Sequence, residues 1–271
     1  MNTQIKPRKY YDDVIEPDFV MNYSEFALQI NFNSVVALLE KTYIEQDPIK
    51  IKCICLNGIQ LLYSSLEDFS ILLHALINKK NGFQLHRSIG VDIKTREGST
   101  FVPNKLKEFK SIQGVLDILG FNNIDAGNIL NQINMTRDDL EKYFQDIAES
   151  VKRIGKYQEK INESKNMFKH GKAFLNEADG KVVFLKWKKT KNMDELKRVM
   201  LPVSIQELRQ AAIRIWEIYK LSLDLLWLFF LNYYPEREEI FRNQMKEESL
   251  KYNETVMKLR GGLIETGGIS E

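Results

Sequence analysis

The chain has 271 residues, 44% of them hydrophobic, so it can bury a substantial core as one large domain or as two small ones. Its 39 basic and 37 acidic residues give a formal charge of +2, which excludes a polycation that attracts nucleic acid over its whole surface. The two cysteines, Cys53 and Cys55, have the spacing of neither a disulfide framework nor a zinc site, so we expect two buried small hydrophobic residues in a reducing, cytoplasmic environment.

Two segments bear on targeting and on membranes. Residues 1–18 lack the apolar core of a signal peptide, so we expect no secretion. The stretch Leu221–Tyr234 is the most hydrophobic of the chain, but Asp224 interrupts it and it is too short to span a bilayer. We therefore expect a buried helix there and no membrane partner.

The first half of the chain alternates between clear and unclear patterns. Residues 1–30 show no sustained period and are predicted to be irregular, and a short helix is predicted from Asn33 to about Tyr43. Apolar residues at three- and four-residue steps predict a longer helix from about Ile54 to Asn78, ended by Asn81 and Gly82. A loop over 83–103 and helices over 104–119 and 120–134 are predicted to follow.

The second half is easier to interpret. Thr136 with acidic residues after it predicts the start of a long helix that ends at about His170. The pattern then changes to that of a β-hairpin at about 171–188, followed by a charged connection. A strongly apolar helix is predicted from Ser204 to the Pro235 break, a charged helix over 236–258, and a flexible tail over 259–271.

These elements predict an all-α antiparallel helical bundle with a small β-hairpin insertion, organised as one domain over residues 31–258. The glycine-rich and histidine-rich motifs of nucleotide, metal and hydrolase sites do not occur in the sequence, so we expect no cofactor and no metal.

Each of the three histidines is a possible site residue. His86 is predicted to be a surface residue in a loop, and His74 follows Glu67 by one heptad on a helix face, either in a polar groove or as an exposed pair. His170 lies at the predicted end of the long helix, where the helix dipole favours a cation. His170 is therefore the best candidate for an acid or base, although it and Asn166 could equally serve to cap the helix.

The stretch Lys165-Asn166-Met167-Phe168-Lys169-His170 resembles the motif of HEPN-domain proteins, in which an arginine and a polar residue precede a histidine near the end of a late helix. The helix around Glu67 also looks like the acidic-centred helix of that superfamily. The resemblance implies a metal-independent RNA endonuclease of a defence or toxin type, acting as a homodimer in which two motifs line a cleft. Other members are non-catalytic modules that bind partners, and this alternative stays open.

The resemblance also implies roles for individual residues. His170 would transfer a proton as the ribose 2′-hydroxyl attacks the adjacent phosphate, Lys165 would stabilise the developing charge, and Asn166 would orient one of them, with Glu67 as a further member of the site. The family's arginine is replaced here by Lys165, which lacks the planar fork that grips a phosphate through two bonds.

A basic patch on the predicted hairpin is a candidate RNA-binding surface. Lys186, Lys188 and Lys189 alternate with Phe184 and Trp187, a composition that can contact a phosphate backbone and stack a base. The same lysines would also protect an edge strand from unwanted pairing, with the aromatic residues facing the core.

Overall fold

The structure is a computed structural model that describes residues 16–95, 117, 136–170, 172–176, 181–189 and 194–265. The described residues are predominantly helical. In chain order the elements are α1 (16–22), a π-helical turn Tyr23–Ala27, α2 (Gln29–Thr42), α3 (Pro48–Lys80), α4 (Leu85–Thr95), α5 (Arg137–His170), β1 (Lys172–Asn176), β2 (Lys181–Lys189), β3 (Asp194–Pro202), α6 (Ile205–Tyr233), the 3-10 turn Pro235–Arg237 and α7 (Glu238–Glu265). Apart from Asp117, which is helical, the helices predicted over 104–119 and 120–134 lie outside the described residues.

The long helices begin where the sequence places their capping residues. At the start of α5, the Thr136 hydroxyl oxygen accepts the Asp139 N–H at 3.2 Å, and the Asp139 carboxylate accepts the Thr136 N–H and hydroxyl at 3.2 and 2.6 Å. These hydrogen bonds from Thr136 lower the pKa of Asp139. At the start of α6, Ser204 accepts the Glu207 N–H at 3.2 Å. Side chains thus satisfy backbone donors that have no partner within the helix.

Four segments differ from the prediction. Residues 16–30 are largely helical where an irregular segment was predicted, and α4 occupies part of the predicted loop over 83–103. The strand β3 replaces part of the predicted charged connection, and α7 continues to Glu265 through the first residues of the predicted tail. β3 was not predicted because its charged residues hide the alternation of apolar and polar residues that marks a strand. α4 was not predicted because the contacts that hold it come from distant parts of the chain.

The three strands form one antiparallel sheet in the order β1-β2-β3. The segment of the predicted hairpin falls on β1 and β2, which pair from Lys172 opposite Leu185 to Asn176 opposite Lys181. β2 pairs with β3 from Lys181 opposite Pro202 to Lys189 opposite Asp194. The chain is therefore predominantly helical with a small sheet between α5 and α6.

The contacts divide the chain into two compact units, and the single domain over residues 31–258 stays a prediction. Unit 1 contains Met1–Ile30, Leu66–Lys156 and Ile218–Glu254, and unit 2 contains Asn31–Ser65, Tyr157–Glu217 and Thr255–Glu271. The core of unit 1 is rich in aromatic rings, with the Phe230 ring stacked on Phe241 at 4.6 Å. In unit 2 the rings of Phe32 and Trp216 pack at 5.2 Å.

The two cysteines have different environments. Cys55 is buried in unit 2, and burial raises the pKa of its thiol to about 11, so it behaves as the small hydrophobic residue that was predicted. Cys53 is exposed, which corrects its prediction as a buried residue.

None of the helices within the described ranges combines the length and the apolar composition needed to cross a bilayer. This includes α6, which carries the stretch Leu221–Tyr234.

Gly58 allows α3 and α6 to approach closely in unit 2. A Cβ atom at Gly58 would lie 1.9 Å from Leu208 Cδ1, and Leu208 is fully buried. We expect Gly58→Ala to lower the free energy of unfolding by about 1–3 kcal/mol, because overpacking exceeds the gain in helix propensity. The matched control is Gly90→Ala in α4, where an added Cβ meets nothing within 4 Å. Chemical denaturation of both variants checks this, and equal stabilities would contradict it.

Candidate functional site

The end of α5 carries the three residues of the HEPN-like motif. Lys165 and Asn166 lie in its last two turns, and His170 is its final residue, one position before β1 begins at Lys172. The prediction that His170 lies at a helix C-terminus is therefore confirmed. The side chains of Lys165, Asn166 and His170 lie outside the described part of the structure. Their catalytic roles stay predictions.

Glu67 lies on α3 and is partly buried, and His74 is one heptad further along the same helix. Both residues belong to unit 1, whereas the end of α5 belongs to unit 2. The role of Glu67 beside the motif thus stays a prediction. In the described part of the chain, no group of three or more His, Cys, Asp or Glu side chains could hold a metal ion.

The lysines of the predicted basic patch lie on β2. Across the sheet, Lys186 is opposite Lys197, Lys188 is opposite Glu195 and Lys189 is opposite Asp194. Two of the three lysines thus have acidic residues in register, and opposite charges at paired positions stabilise an antiparallel sheet. RNA binding by this patch stays a prediction.

A pocket of about 420 Å³ lies in unit 2. Its lining includes the buried apolar residues Leu62 and Ala211, and Tyr63 and Tyr157 contribute phenol rings. Burial raises the pKa of Tyr157, with smaller increases from Tyr63 and Glu207 that oppose a decrease from Arg214. The Tyr157 phenol is therefore a neutral hydrogen-bonding group at physiological pH.

The charged and amide lining residues of this pocket are Glu207, Gln210 and Arg214, all on α6. The Arg214 guanidinium lies over the Tyr157 ring, 4.1 Å from its centroid, so the cation is stacked on an aromatic face. Within the described ranges, neither Arg214 nor the Glu207 carboxylate has an intramolecular hydrogen bond or ion pair. The pocket thus combines apolar lining residues with one guanidinium group and one carboxylate.

Unit 1 contains a second cluster, centred on Glu16. This residue is only 1% exposed, and its carboxylate accepts hydrogen bonds from the Lys79 ammonium, the Leu85 N–H and the Tyr234 hydroxyl. Lys79 also lies over three rings, 5.8 Å from Phe229, 5.1 Å from Tyr233 and 5.5 Å from Tyr234. Three donors on one buried carboxylate make this cluster a structural connection between α1, α3, α4 and Tyr234, the residue that follows α6.

His86 lies at the edge of the Glu16 cluster, which corrects its prediction as a surface residue in a loop. Its side chain is 18% exposed, its ring packs against Phe19 at 5.8 Å, and its Nδ1 lies 4.0 Å from Glu16 Oε1. This nitrogen is buried without a hydrogen-bond partner in the described part of the protein. No local pattern reveals the cluster, because its members come from four separate segments of the sequence.

Unit 1 also contains an acidic residue, Asp224, within the hydrophobic stretch Leu221–Tyr234. Asp224 Oδ1 accepts the Tyr143 hydroxyl at 2.9 Å, and the Tyr143 ring meets Trp227 edge-on at 5.3 Å. Burial raises the pKa of Asp224 to about 6, although the Tyr143 hydrogen bond and the Lys220 charge both act to lower it. Asp224 therefore titrates near neutral pH.

Sequence reasoning did not single out Tyr157, Glu207 or Arg214 as site residues. A cation and a carboxylate seven residues apart on an amphipathic helix look like an ordinary solvated face. No protein-family model matches the chain, and no curated protein or solved structure is significantly similar to it.

Proposed function

We propose that the protein is an RNA-directed, HEPN-like protein that cleaves RNA without a metal ion and acts as a homodimer. The observation that supports this proposal is the position of the Lys165–His170 motif at the C-terminal end of the long helix α5. A histidine at a helix C-terminus is stabilised as a cation, which suits a group that exchanges a proton during phosphoryl transfer.

The proposed reaction uses groups of the chain and of the RNA. The ribose 2′-oxygen forms a bond to the adjacent phosphorus, and the proton of the 2′-hydroxyl passes to a general base. The bond between this phosphorus and the 5′-oxygen of the next nucleotide breaks. The products are a 2′,3′-cyclic phosphate and a 5′-hydroxyl that has gained a proton. His170 exchanges protons in these steps, the Lys165 ammonium stabilises charge on the phosphate oxygens, and Asn166 orients one of the two.

A dimer explains how Lys165 and His170, at different positions around the axis of α5, can form one site. Because Lys165 and His170 lie about 140° apart around α5, one copy of the helix does not aim both at the same phosphate. Two copies that face each other across a cleft place a lysine from one protomer near a histidine from its partner. Cleavage should therefore depend on protein concentration.

The second candidate function is a non-catalytic interaction module with the same fold. Lys165 favours this alternative, because an ammonium provides a point charge where the family's arginine provides two parallel hydrogen bonds. Such a module binds an RNA or protein partner and leaves RNA intact.

We expect His170→Ala to lower the rate of RNA cleavage by at least about 100-fold, the usual effect of losing a general acid or base. The assay follows labelled single-stranded and structured RNAs in the presence of a chelator, over a range of protein concentrations. The control is His74→Ala, which makes the same chemical change in unit 1, and circular dichroism verifies that both variants fold. Equal cleavage rates for the wild type and His170→Ala would contradict the assignment of His170 as the catalytic acid or base. If both proteins bind RNA and neither cleaves it, the interaction module is favoured.

A further inference from the structure

The pocket of unit 2 has the chemistry of a site for a planar, hydrogen-bonding ring. Its apolar lining includes Leu62 and Ala211, and Tyr63 and Tyr157 add aromatic surface. A flat heterocycle can bury both faces against such groups, as unpaired bases do on aromatic side chains and on guanidinium planes. The Arg214 guanidinium lies over the Tyr157 ring, 4.1 Å from its centroid, and Arg214 also lines the pocket, where its N–H groups can donate to a ligand.

The polar groups of the pocket narrow the choice of ring. Arg214 offers parallel N–H donors and Glu207 offers two carboxylate oxygens, and neither group makes a side-chain hydrogen bond or ion pair within the described part of the chain. A ligand that satisfies both groups needs a pair of acceptors on one edge and a pair of donors on another. Gln210 can give or accept one more hydrogen bond.

Guanine has this combination. Its O6 and N7 atoms are the acceptor pair that arginine contacts through two hydrogen bonds, and its N1–H and 2-amino groups are paired donors for a carboxylate. Adenine has a donor beside N7 and therefore opposes the arginine fork. Cytosine and uracil have no N7, and uracil has only one ring N–H to donate.

The pocket also lies close to the proposed catalytic segment along the chain. Tyr157 and Ile161, which line the pocket, are on α5, and Lys165 follows Ile161 by four residues. Four helical residues correspond to about 6 Å along the helix axis. A base in the pocket is thus about one helical turn from the backbone of Lys165.

We propose that the pocket formed by Tyr157, Glu207 and Arg214 binds guanine, an assignment that rests on the proposed RNA-directed function for its biological ligand. Guanine reaches the pocket either as an unpaired base of RNA or as a free guanine nucleotide. In an RNA, it fixes which nucleotide is presented to the end of α5, so the pocket determines sequence preference.

The test measures binding of GMP, AMP, CMP and UMP to the full-length protein by isothermal titration calorimetry. We expect GMP to bind at least about tenfold more tightly than the other three, the usual effect of a matched two-bond contact. Arg214→Lys keeps the charge but loses the fork, and Glu207→Gln loses one acceptor, so each should reduce this preference to less than about threefold. The control is Arg209→Lys, which makes the same change on α6 outside the pocket and should leave the preference intact.

A second arm uses two labelled RNAs that differ only in whether their unpaired segment contains guanine. Preference for the guanine-containing RNA, lost in Arg214→Lys, supports the pocket as an RNA site. Selective GMP binding without RNA binding supports the pocket as a site for the free nucleotide and overturns the RNA-directed function. A third outcome is RNA cleavage that needs His170 but shows no base preference, together with equal affinity for the four nucleotides. This outcome overturns the guanine site and is consistent with the proposed function.

Discussion

Replacing Glu16 with glutamine is expected to lower the free energy of unfolding by about 3–5 kcal/mol, the usual cost of removing one partner from a buried ion pair. The Glu16 carboxylate is almost fully buried and accepts hydrogen bonds from Lys79, Leu85 and Tyr234. All three partners are donors, so the amide nitrogen of glutamine faces donors and leaves at least one of them unsatisfied. The Lys79 ammonium also loses its counter-charge.

The measurement is urea denaturation followed by circular dichroism. The control is Asp18→Asn, which removes a carboxylate from an exposed position in α1 and should change stability by no more than about 0.5 kcal/mol. Hydrogen exchange adds a local readout, because the Glu16 carboxylate accepts the N–H of the first residue of α4. A Glu16→Gln variant as stable as Asp18→Asn would show that the cluster does not hold unit 1 together.

Asp224→Asn is expected to stabilise the protein at pH 8 and to have little effect at pH 4. The pKa of Asp224 is raised from 3.8 to about 6 in the folded protein, chiefly by burial. Because its pKa is raised in the folded protein, Asp224 contributes stability that is fully present below about pH 4, where the carboxyl is protonated in both the folded and the unfolded state. This contribution is lost as the pH rises through 6, and the loss amounts to up to about 3 kcal/mol at about 1.4 kcal/mol per pKa unit.

Asparagine keeps an oxygen that accepts the Tyr143 hydroxyl but has no charge to bury. We therefore expect Asp224→Asn to exceed the wild type in unfolding free energy by about 1–3 kcal/mol at pH 8, with the difference growing between pH 4 and 7. The control is Asp146→Asn, on an exposed position of α5. A difference between variant and wild type that does not change with pH would contradict the raised pKa.

The helices that could be predicted are those with strong local signals. α3 and α6 carry apolar residues on one stripe, and α5 and α6 begin at the capping residues Thr136 and Ser204, so the sequence contains both their period and their starts. α4 could not be predicted because its first N–H is satisfied by Glu16, 69 residues away along the chain. A helix held by a distant carboxylate has no local signature.

Part of the candidate site could likewise be predicted from the sequence, and part could not. The placement of His170 at a helix end followed from the pattern of α5 and the Gly171 that comes after it. The guanine pocket could not be predicted because its lining comes from α3, α5, α6 and the end of β3. Only their packing within unit 2 brings the Arg214 guanidinium to 4.1 Å from the centroid of the Tyr157 ring. A three-dimensional contact between two residues 57 positions apart leaves no trace in the periodicity of either helix.

The most direct test of the proposed function compares two oligonucleotides of one guanine-containing sequence, one with ribose throughout and the other with 2′-deoxyribose. Wild-type protein is incubated with each in the presence of EDTA, over a range of protein concentrations that spans monomer and dimer. We expect the RNA to be cut to products with a 2′,3′-cyclic phosphate and the deoxy oligonucleotide to stay intact, because the 2′-hydroxyl is the attacking group. RNA that remains whole at every concentration of folded dimer, or equal cutting of both oligonucleotides, would contradict a metal-independent ribonuclease.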